Sequence, residues 1–415
     1  MTFSSMERWL TRKILDTVGN PPYRLVLGRD SISAGPQNGS RPATTIVVSN
    51  RRTLAQIALD PEVAFGDAYS EGRIEVHGDL VAFLEQLIPS MQKSGTKRWY
   101  PRLRSWWLDH LYDNSARGSR ENIHHHYDLN VNFYKLWLDE RMVYTCAYFP
   151  TESVTLEEAQ LAKMDHVCRK LQLQPGEKVV EAGCGWGALA LHMAKHYGVT
   201  VQAFNISHEQ IAFAREEAKR QGLSGQVEFV EDDYRNISGR QDVFVSVGML
   251  EHVGLSHYHE FGRTIHRTIG DRGRGLLHFI GRNYPHPFSP WIRKRIFPGA
   301  YAPALSQVAR VFEPWNLSVL DVENLRMHYA RTLEHWLSRF EGSVDRVSHM
   351  FGPEFVRAWR LYLAGSIAAF RCGSLQLFQI AFCGANCRGI PWTRAHLYEQ
   401  QQPAVKEQKW MHATP

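Results

Sequence analysis

Hydrophobic and polar positions change their rhythm near residue 151. Thr155-Leu-Glu-Glu158 reads as a capping box that opens a helix. Met164, Val167, Cys168 and Leu171 follow at i, i+3, i+4 and i+7 and give that helix one apolar face. Pro175-Gly176 stops it. Lys178-Val-Val-Glu-Ala182 then reads as a buried strand. Helices are predicted over 188–197, 208–221 and 258–269, and strands over 200–204, 227–230, 242–247 and 275–280. Strands that alternate with helices imply a parallel sheet covered on both faces, a doubly wound α/β domain. Beyond Gly281 the pattern is more helical, with helices predicted over 331–340 and 354–370.

The N-terminal part reads differently. Strands at 44–48 and 73–76 and helices at 53–58, 64–69 and 80–87 make residues 1–90 a small α+β domain. Residues 35–42 are a loop by composition. A connector over 91–123 follows, then a catalytic domain over 124–395 and a polar tail over 396–415. A chain of 415 residues suits two or three domains.

Composition narrows the class. Apolar residues make up 44%, enough for a full core, so a mainly disordered chain is excluded. No apolar run approaches the roughly 20 residues of a membrane-spanning helix. Charged residues interrupt the N-terminal apolar positions, so no signal-peptide core is expected. Six cysteines do not form a disulfide framework, and the expected setting is cytoplasmic and reduced. The net charge of +6 matters mainly through its distribution. Seven Lys and Arg residues of the connector are interleaved with Trp99, Tyr100, Trp106 and Trp107. That combination suits an anionic lipid surface; nucleic acid could use it too, but is not the expected partner. Trp291-Ile-Arg-Lys-Arg-Ile-Phe297-Pro also reads as an amphipathic helix suited to a headgroup surface. The triplet His124-His125-His126 alternates faces and is not expected to hold a metal.

The strongest motif is Glu181-Ala-Gly183-Cys-Gly185-Trp-Gly187, which follows a strand and opens a helix. Its glycines let the backbone turn tightly and approach a ligand. The acid before them can take a hydroxyl or an amine. This order suits S-adenosylmethionine (SAM) better than a dinucleotide, although Ala188 also satisfies a looser dinucleotide pattern. Polar residues end three further strands, at Asn205, at Asp232-Asp233-Tyr234 and at Gly248 to His252. Asp233 is placed to contact an adenine amine, and Asn205 and Gln210 to recognise hydroxyls.

Taken in order, these motifs resemble the cyclopropane-fatty-acyl-phospholipid synthase family of SAM-dependent methyltransferases, which includes mycolic acid cyclopropane synthases. The resemblance runs from about His124 to Cys383. It rests on His125-His-Tyr-Asp-Leu129, Tyr144-Thr-Cys-Ala-Tyr-Phe149, Glu181 to Gly187, Val245-Ser-Val-Gly248 with Glu251-His-Val-Gly254, Leu276-Leu-His-Phe-Ile-Gly281, and Ile296-Phe-Pro-Gly299. It implies a class I SAM-methyltransferase fold. It also implies transfer of a methylene from SAM to the cis double bond of an unsaturated phospholipid acyl chain, through a carbocation deprotonated by bound bicarbonate.

The resemblance also implies site residues. Cys146, Glu251, His278, Ile280 and Tyr329 would surround the bicarbonate, with Cys146 and Ile280 giving backbone N–H groups. Tyr144, Thr145, Glu181, Gly183, Gly185, Gly187, Asn205, Gln210, Asp233 and Tyr234 would hold SAM. Ser366 stands where the family carries a Cys, and Phe279 where Thr is common. A membrane surface is the implied workplace, the inner face of the cytoplasmic membrane, and a homodimer is compatible. A related methyltransferase acting on another hydrophobic molecule, or a non-catalytic lipid-binding protein, remains open at this point.

Overall fold

The computed structural model describes residues 5, 8–9, 11–12, 23–27, 30–33, 44–95, 130–286 and 288–398. The loop at 35–42, the connector from 96, the His124 triplet with the His125–Leu129 motif, and the chain beyond 398 lie outside them. So do the connector side chains of 91–95.

A four-stranded sheet comes first. Its strands are β1 (Tyr23–Leu27), β2 (Asp30–Ser33), β3 (Thr44–Val48) and β4 (Ile74–His77), in the order β2-β1-β3-β4. β1 and β3 run parallel and the other pairs antiparallel. Helices α1 (Arg51–Leu59), α2 (Pro61–Ser70) and α3 (Leu80–Gly95) accompany it. Asn50 starts α1, its Oδ1 accepting the Thr53 N–H at 2.9 Å.

The second sheet is built as the alternation predicts. α4 (Leu156–Leu171) opens with the capping box: Thr155 N donates to Glu158 Oε2 at 2.8 Å and Glu158 N donates to Thr155 Oγ1 at 3.2 Å. Then come β5 (Lys178–Ala182), α5 (Ala188–Tyr197), β6 (Thr200–Asn205), α6 (His208–Arg220), β7 (Val227–Glu231), β8 (Val243–Val247), α7 (Tyr258–Ile269) and β9 (Arg274–Gly281). Alternation along each strand divides the core in two. Val179 and Val245 face one cluster with Met164 and Val167 of α4, whereas Val180 and Phe244 face another with Phe261 and Ile265 of α7.

Past β9 the chain forms α8 (Pro290–Arg295), α9 (Leu305–Phe312), β10 (Ser318–Asn324), α10 (Arg326–Glu341), α11 (Val344–Phe351), α12 (Pro353–Arg371) and β11 (Gln376–Cys383). The stretch is mostly helical as read, but it also carries two strands the pattern did not show, β10 and β11, which complete the sheet antiparallel. β11 is buried at every position, so it carries no polar–apolar alternation to betray it. The seven-strand order is β10-β11-β9-β8-β5-β6-β7. The chain leaves β5 toward β6 and β7, then crosses back to β8 on the other side. This reversal opens a crevice at the carboxyl ends of β5 and β8, where doubly wound sheets bind ligands.

A third core, rich in aromatic rings, joins the two sheets. Phe133, Tyr134, Trp137, Trp336, Trp359 and Tyr362 pack in one cluster with Tyr69 and Phe83 from the N-terminal unit. α12 lies against α2 and α3, and Arg357 donates to the Tyr69 and Ile74 carbonyls, each at 2.6 Å. α8 overturns the headgroup-facing expectation for Trp291 to Pro298. Trp291 is buried against Gly66 of α2. Lys294 and Arg295 pair with Asp67 at 2.7 and 2.9 Å. The cations therefore face the N-terminal unit, which satisfies them with a carboxylate. No helix among the described residues is long and apolar enough to cross a membrane.

Gly66 has no room for a side chain, since a Cβ there would overlap the Trp291 indole. Gly66→Ala should lower unfolding stability by about 1–3 kcal/mol through overpacking, although Ala is the better helix former by about 1 kcal/mol. Urea denaturation of the two proteins measures this, and an unchanged or raised midpoint would contradict the packing.

Candidate active site

The glycine loop is shaped by what surrounds it. Gly183, Gly185 and Gly187 adopt φ of 83°, 53° and 87°, values that favour glycine. A Cβ at Gly183 would meet the Met249 side chain at 2.9 Å, and one at Gly187 would meet Phe229 and Ala214 at 2.7 and 2.8 Å. At Gly185 nothing lies within 4 Å. Two glycines are therefore fixed by protein packing, and the middle one faces open space. The loop is pinned to β6, with the Gly183 and Cys184 N–H groups donating to Phe204 O at 2.9 and 3.1 Å. Asn205, at the end of β6, donates from Nδ2 to Gly185 O at 3.3 Å and to Gln210 Oε1 at 2.7 Å.

That open space is a cleft that opens to solvent. Tyr144, Thr145, Glu181, Gly183, Gly185, Asn205 and Gln210 line it together, as do Lys163, Trp186, Met249 and His252. Gly187 supports the loop from below. Asp233 and Tyr234 are not in the lining, contrary to expectation. Both Asp233 oxygens are taken by Arg235, from its backbone N–H and its Nη1, each at 2.9 Å. The Tyr234 ring is buried edge-on against Phe261, with the Arg235 guanidinium over its face.

Burial controls the charges in the cleft. Glu181 is pushed up to about 7 by desolvation, which Lys163 partly opposes. Its Oε2 is buried with no hydrogen-bond partner among the described residues. Lys163 is held down to about 8 by the same cause, and its Nζ donates to Thr145 Oγ1 at 3.1 Å. An orphaned carboxylate oxygen beside an open glycine suits a ligand that brings cationic or hydroxyl donors. Burial also lowers His252, to about 4. The signal for Lys163 was present in the sequence, because Gln160, Lys163 and Lys170 are polar residues on the buried stripe of α4.

The second constellation lies at the ends of β8 and β9. Glu251, in the helical turn Leu250–Val253, accepts the Ile280 N–H on Oε1 at 2.6 Å. Ile280 was expected to offer this N–H to an anion; in the structure Glu251 has it. Glu251 Oε2 is buried without a hydrogen-bond partner among the described residues, and desolvation pushes the carboxyl up to about 7. His278 and Ile280 are two residues apart on β9 and share a face. Burial holds His278 well below its ordinary value. Its Nδ1 accepts from Gln379 Nε2 at 3.0 Å, which leaves the ring proton on Nε2. Phe279 points to the opposite face, where it packs with Phe378.

Cys146 is wholly buried, and its thiol turns to the Ala147 carbonyl at 3.1 Å. Burial pushes that thiol far up, so it is no nucleophile. Tyr329 is buried on α10, its ring 4.7 Å from that of Phe370. Ser366 is half-buried on α12, one turn past Tyr362, whose hydroxyl pairs with that of Tyr144 at 3.1 Å. Cys372 lies at the far end of that helix.

Raised carboxyls have a consequence for stability. Glu251 is raised in the folded state, so its contribution is complete below about 4.5 and is lost as pH rises through about 7. Glu251→Gln should therefore flatten the fall in urea midpoint between acidic and mildly alkaline buffer. An equally steep fall in the variant would place the titration elsewhere.

The family model described as mycolic acid cyclopropane synthetase matches residues 114–380. A protein named probable fatty acid methyltransferase from Pseudomonas putida is 34% identical over 374 residues, covering 87% of this chain and 93% of its own. The cyclopropane-fatty-acyl-phospholipid synthase of Escherichia coli K12 is 33% identical over 346 residues, covering 83% and 89%. The solved structure of mycolic acid cyclopropane synthase CmaA1, complexed with SAH and CTAB, superposes with a TM-score of 0.61 at 30% identity, over 63% of this chain and 97% of that one. With matches of this extent laid over a class I SAM-methyltransferase sheet and its glycine loop, the chain belongs to the mycolic acid cyclopropane synthetase family and is a SAM-dependent methyltransferase.

Proposed function

We propose that the protein transfers a one-carbon unit from SAM to the cis double bond of an unsaturated phospholipid acyl chain and closes a cyclopropane ring. The observation that carries this reading is Glu251, a buried carboxyl near 7 with one orphaned oxygen, one residue from the cleft-lining His252. Methyl transfer to nitrogen or oxygen takes its proton from a heteroatom, whereas ring closure has to take one from carbon, which calls for a base held in a dry setting. The phospholipid substrate is carried over from the name of the Escherichia coli relative.

SAM, when bound, supplies an activated methyl group on a sulfonium. Tyr144, Thr145, Glu181, Gly183, Gly185, Asn205 and Gln210 are the residues that would hold it. Attack of the alkene π pair on that methyl would form the new C–C bond as the methyl–sulfur bond breaks and S-adenosylhomocysteine departs, and a cation would remain on the other alkene carbon. Water would capture that cation. Tyr134, Trp137, Tyr144, Trp186 and Trp336 pack together at this end of the molecule and exclude water with electron-rich rings. Loss of a proton from the added methyl frees the pair that closes the ring.

A bound bicarbonate is the base in this reading. Glu251 Oε2 would share a proton with it, and the neutral His278 would donate from Nε2. Cys146 would contribute its backbone, since its thiol is turned away. Ile280 is already engaged by Glu251, so its role is to aim that carboxyl rather than to meet the anion. A second product is favoured by the Pseudomonas putida relative, whose name specifies methyl transfer to a fatty acid. For that product the cation would take a hydride from a partner reductant and leave a saturated methyl branch.

The test is lipid mass spectrometry after incubation with SAM, bicarbonate and vesicles of monounsaturated phospholipid. A gain of one CH2 with the double bond lost is the expected result. A gain of CH4 would mean a saturated methyl branch, and no gain would remove phospholipid as substrate. Glu251→Gln should lower turnover by about 100-fold, near 2.7 kcal/mol of barrier, with SAH affinity by calorimetry unchanged. An unaltered rate would remove Glu251 from the mechanism. Ser366→Ala should keep turnover within about threefold, less than 0.7 kcal/mol of barrier. A much larger loss would give that hydroxyl a part in the reaction.

A further inference from the structure

Lys163 is a buried cation that the proposed chemistry leaves without a task. It projects from α4 into the wall of the cleft. An ammonium has three donors, and one of them goes to Thr145 Oγ1 at 3.1 Å. No carboxylate pairs with it among the described residues. Asp139 spends its oxygens on the backbone N–H groups of Arg141 and Val143, at 3.1 and 2.8 Å. Glu181 lines the same cleft and attracts Lys163 without forming an ion pair.

Holding the neighbouring segment does not explain the charge. Gln160, one turn earlier, already secures it by donating from Nε2 to Thr145 O at 2.9 Å. A neutral side chain on α4 therefore suffices to fix the backbone. A buried ammonium whose acidic neighbours, Asp139 and Glu181, act on it without forming an ion pair keeps donors for a ligand's carboxylate.

We propose that Lys163, together with the Thr145 hydroxyl, binds the α-carboxylate at the amino-acid end of SAM. Thr145 Oγ1 accepts from the ammonium, so its own proton is free to reach the same carboxylate. Glu181 provides the opposite sign within the same cleft, for the α-ammonium. The cleft then selects a zwitterion by two buried charges of opposite sign. This assignment rests on the SAM-dependent reading and extends it to a residue the glycine-loop motif does not contain.

Isothermal calorimetry on the full chain tests it with two probes, S-adenosylhomocysteine and the same compound lacking its carboxylate. Wild type should bind the first at least tenfold more tightly, about the value of one charge-assisted contact. Lys163→Met should remove most of that preference by weakening S-adenosylhomocysteine alone, and Lys163→Arg should restore part of it. Equal weakening of both probes in Lys163→Met would reduce Lys163 to a structural role and overturn the assignment. A wild type with no preference between the probes would overturn it even if the variants fail to fold. Binding of neither probe would sink the cofactor reading as well.

Discussion

Around the cleft at the carboxyl ends of β5 and β8 the ionisable side chains are themselves buried, and they take their character from that burial. Glu181 and Glu251 are raised and His252 and His278 lowered, each chiefly by burial, so all four move toward their neutral forms. Lys163 moves the same way but stays charged enough to matter. The fold produces this by topology. The strand-order reversal opens a cleft, α4 closes one wall, and the aromatic cluster around Trp137 and Trp336 roofs the neighbouring space. A reaction that passes through a carbocation needs that burial, and a proton shared between Glu251 and an anion is strong only where water does not compete.

The Rossmann-like half was legible because its signals are local. A capping box, a glycine loop and strands of five or six residues placed α4, β5, α5 and α7 almost to the residue. β10 and β11 were not legible, since they close the sheet by long-range antiparallel pairing and β11 is buried at every position, its two glutamines included. β1 and β2 pass unmarked, although β3 and β4 are of the same lengths and were read. The cofactor residues nearest the glycine loop gather at the cleft, while Asp233 does not. A motif can place an acid at a strand end, but it does not reveal that Arg235, two residues on, has already captured it. Lys163 was passed over for the converse reason, because a lysine on an apolar helix face looks like an error in the pattern until the cleft beneath it is seen.

Charge without context misled at α8. Trp291, Lys294 and Arg295 have the composition of a membrane-surface helix, yet the indole lies on Gly66 and the cations on Asp67. The same residues would look identical in either setting, since a carboxylate-bearing domain and an anionic bilayer present similar partners.

The contact between Trp291 and Gly66 also bears on what could replace the N-terminal unit. The N-terminal unit contributes Tyr69 and Phe83 to the aromatic core of its neighbour, and it must present a bare backbone where the indole rests. An N-terminal unit that replaced this one would have to leave the position of Gly66 bare, or give up the seat of the Trp291 indole.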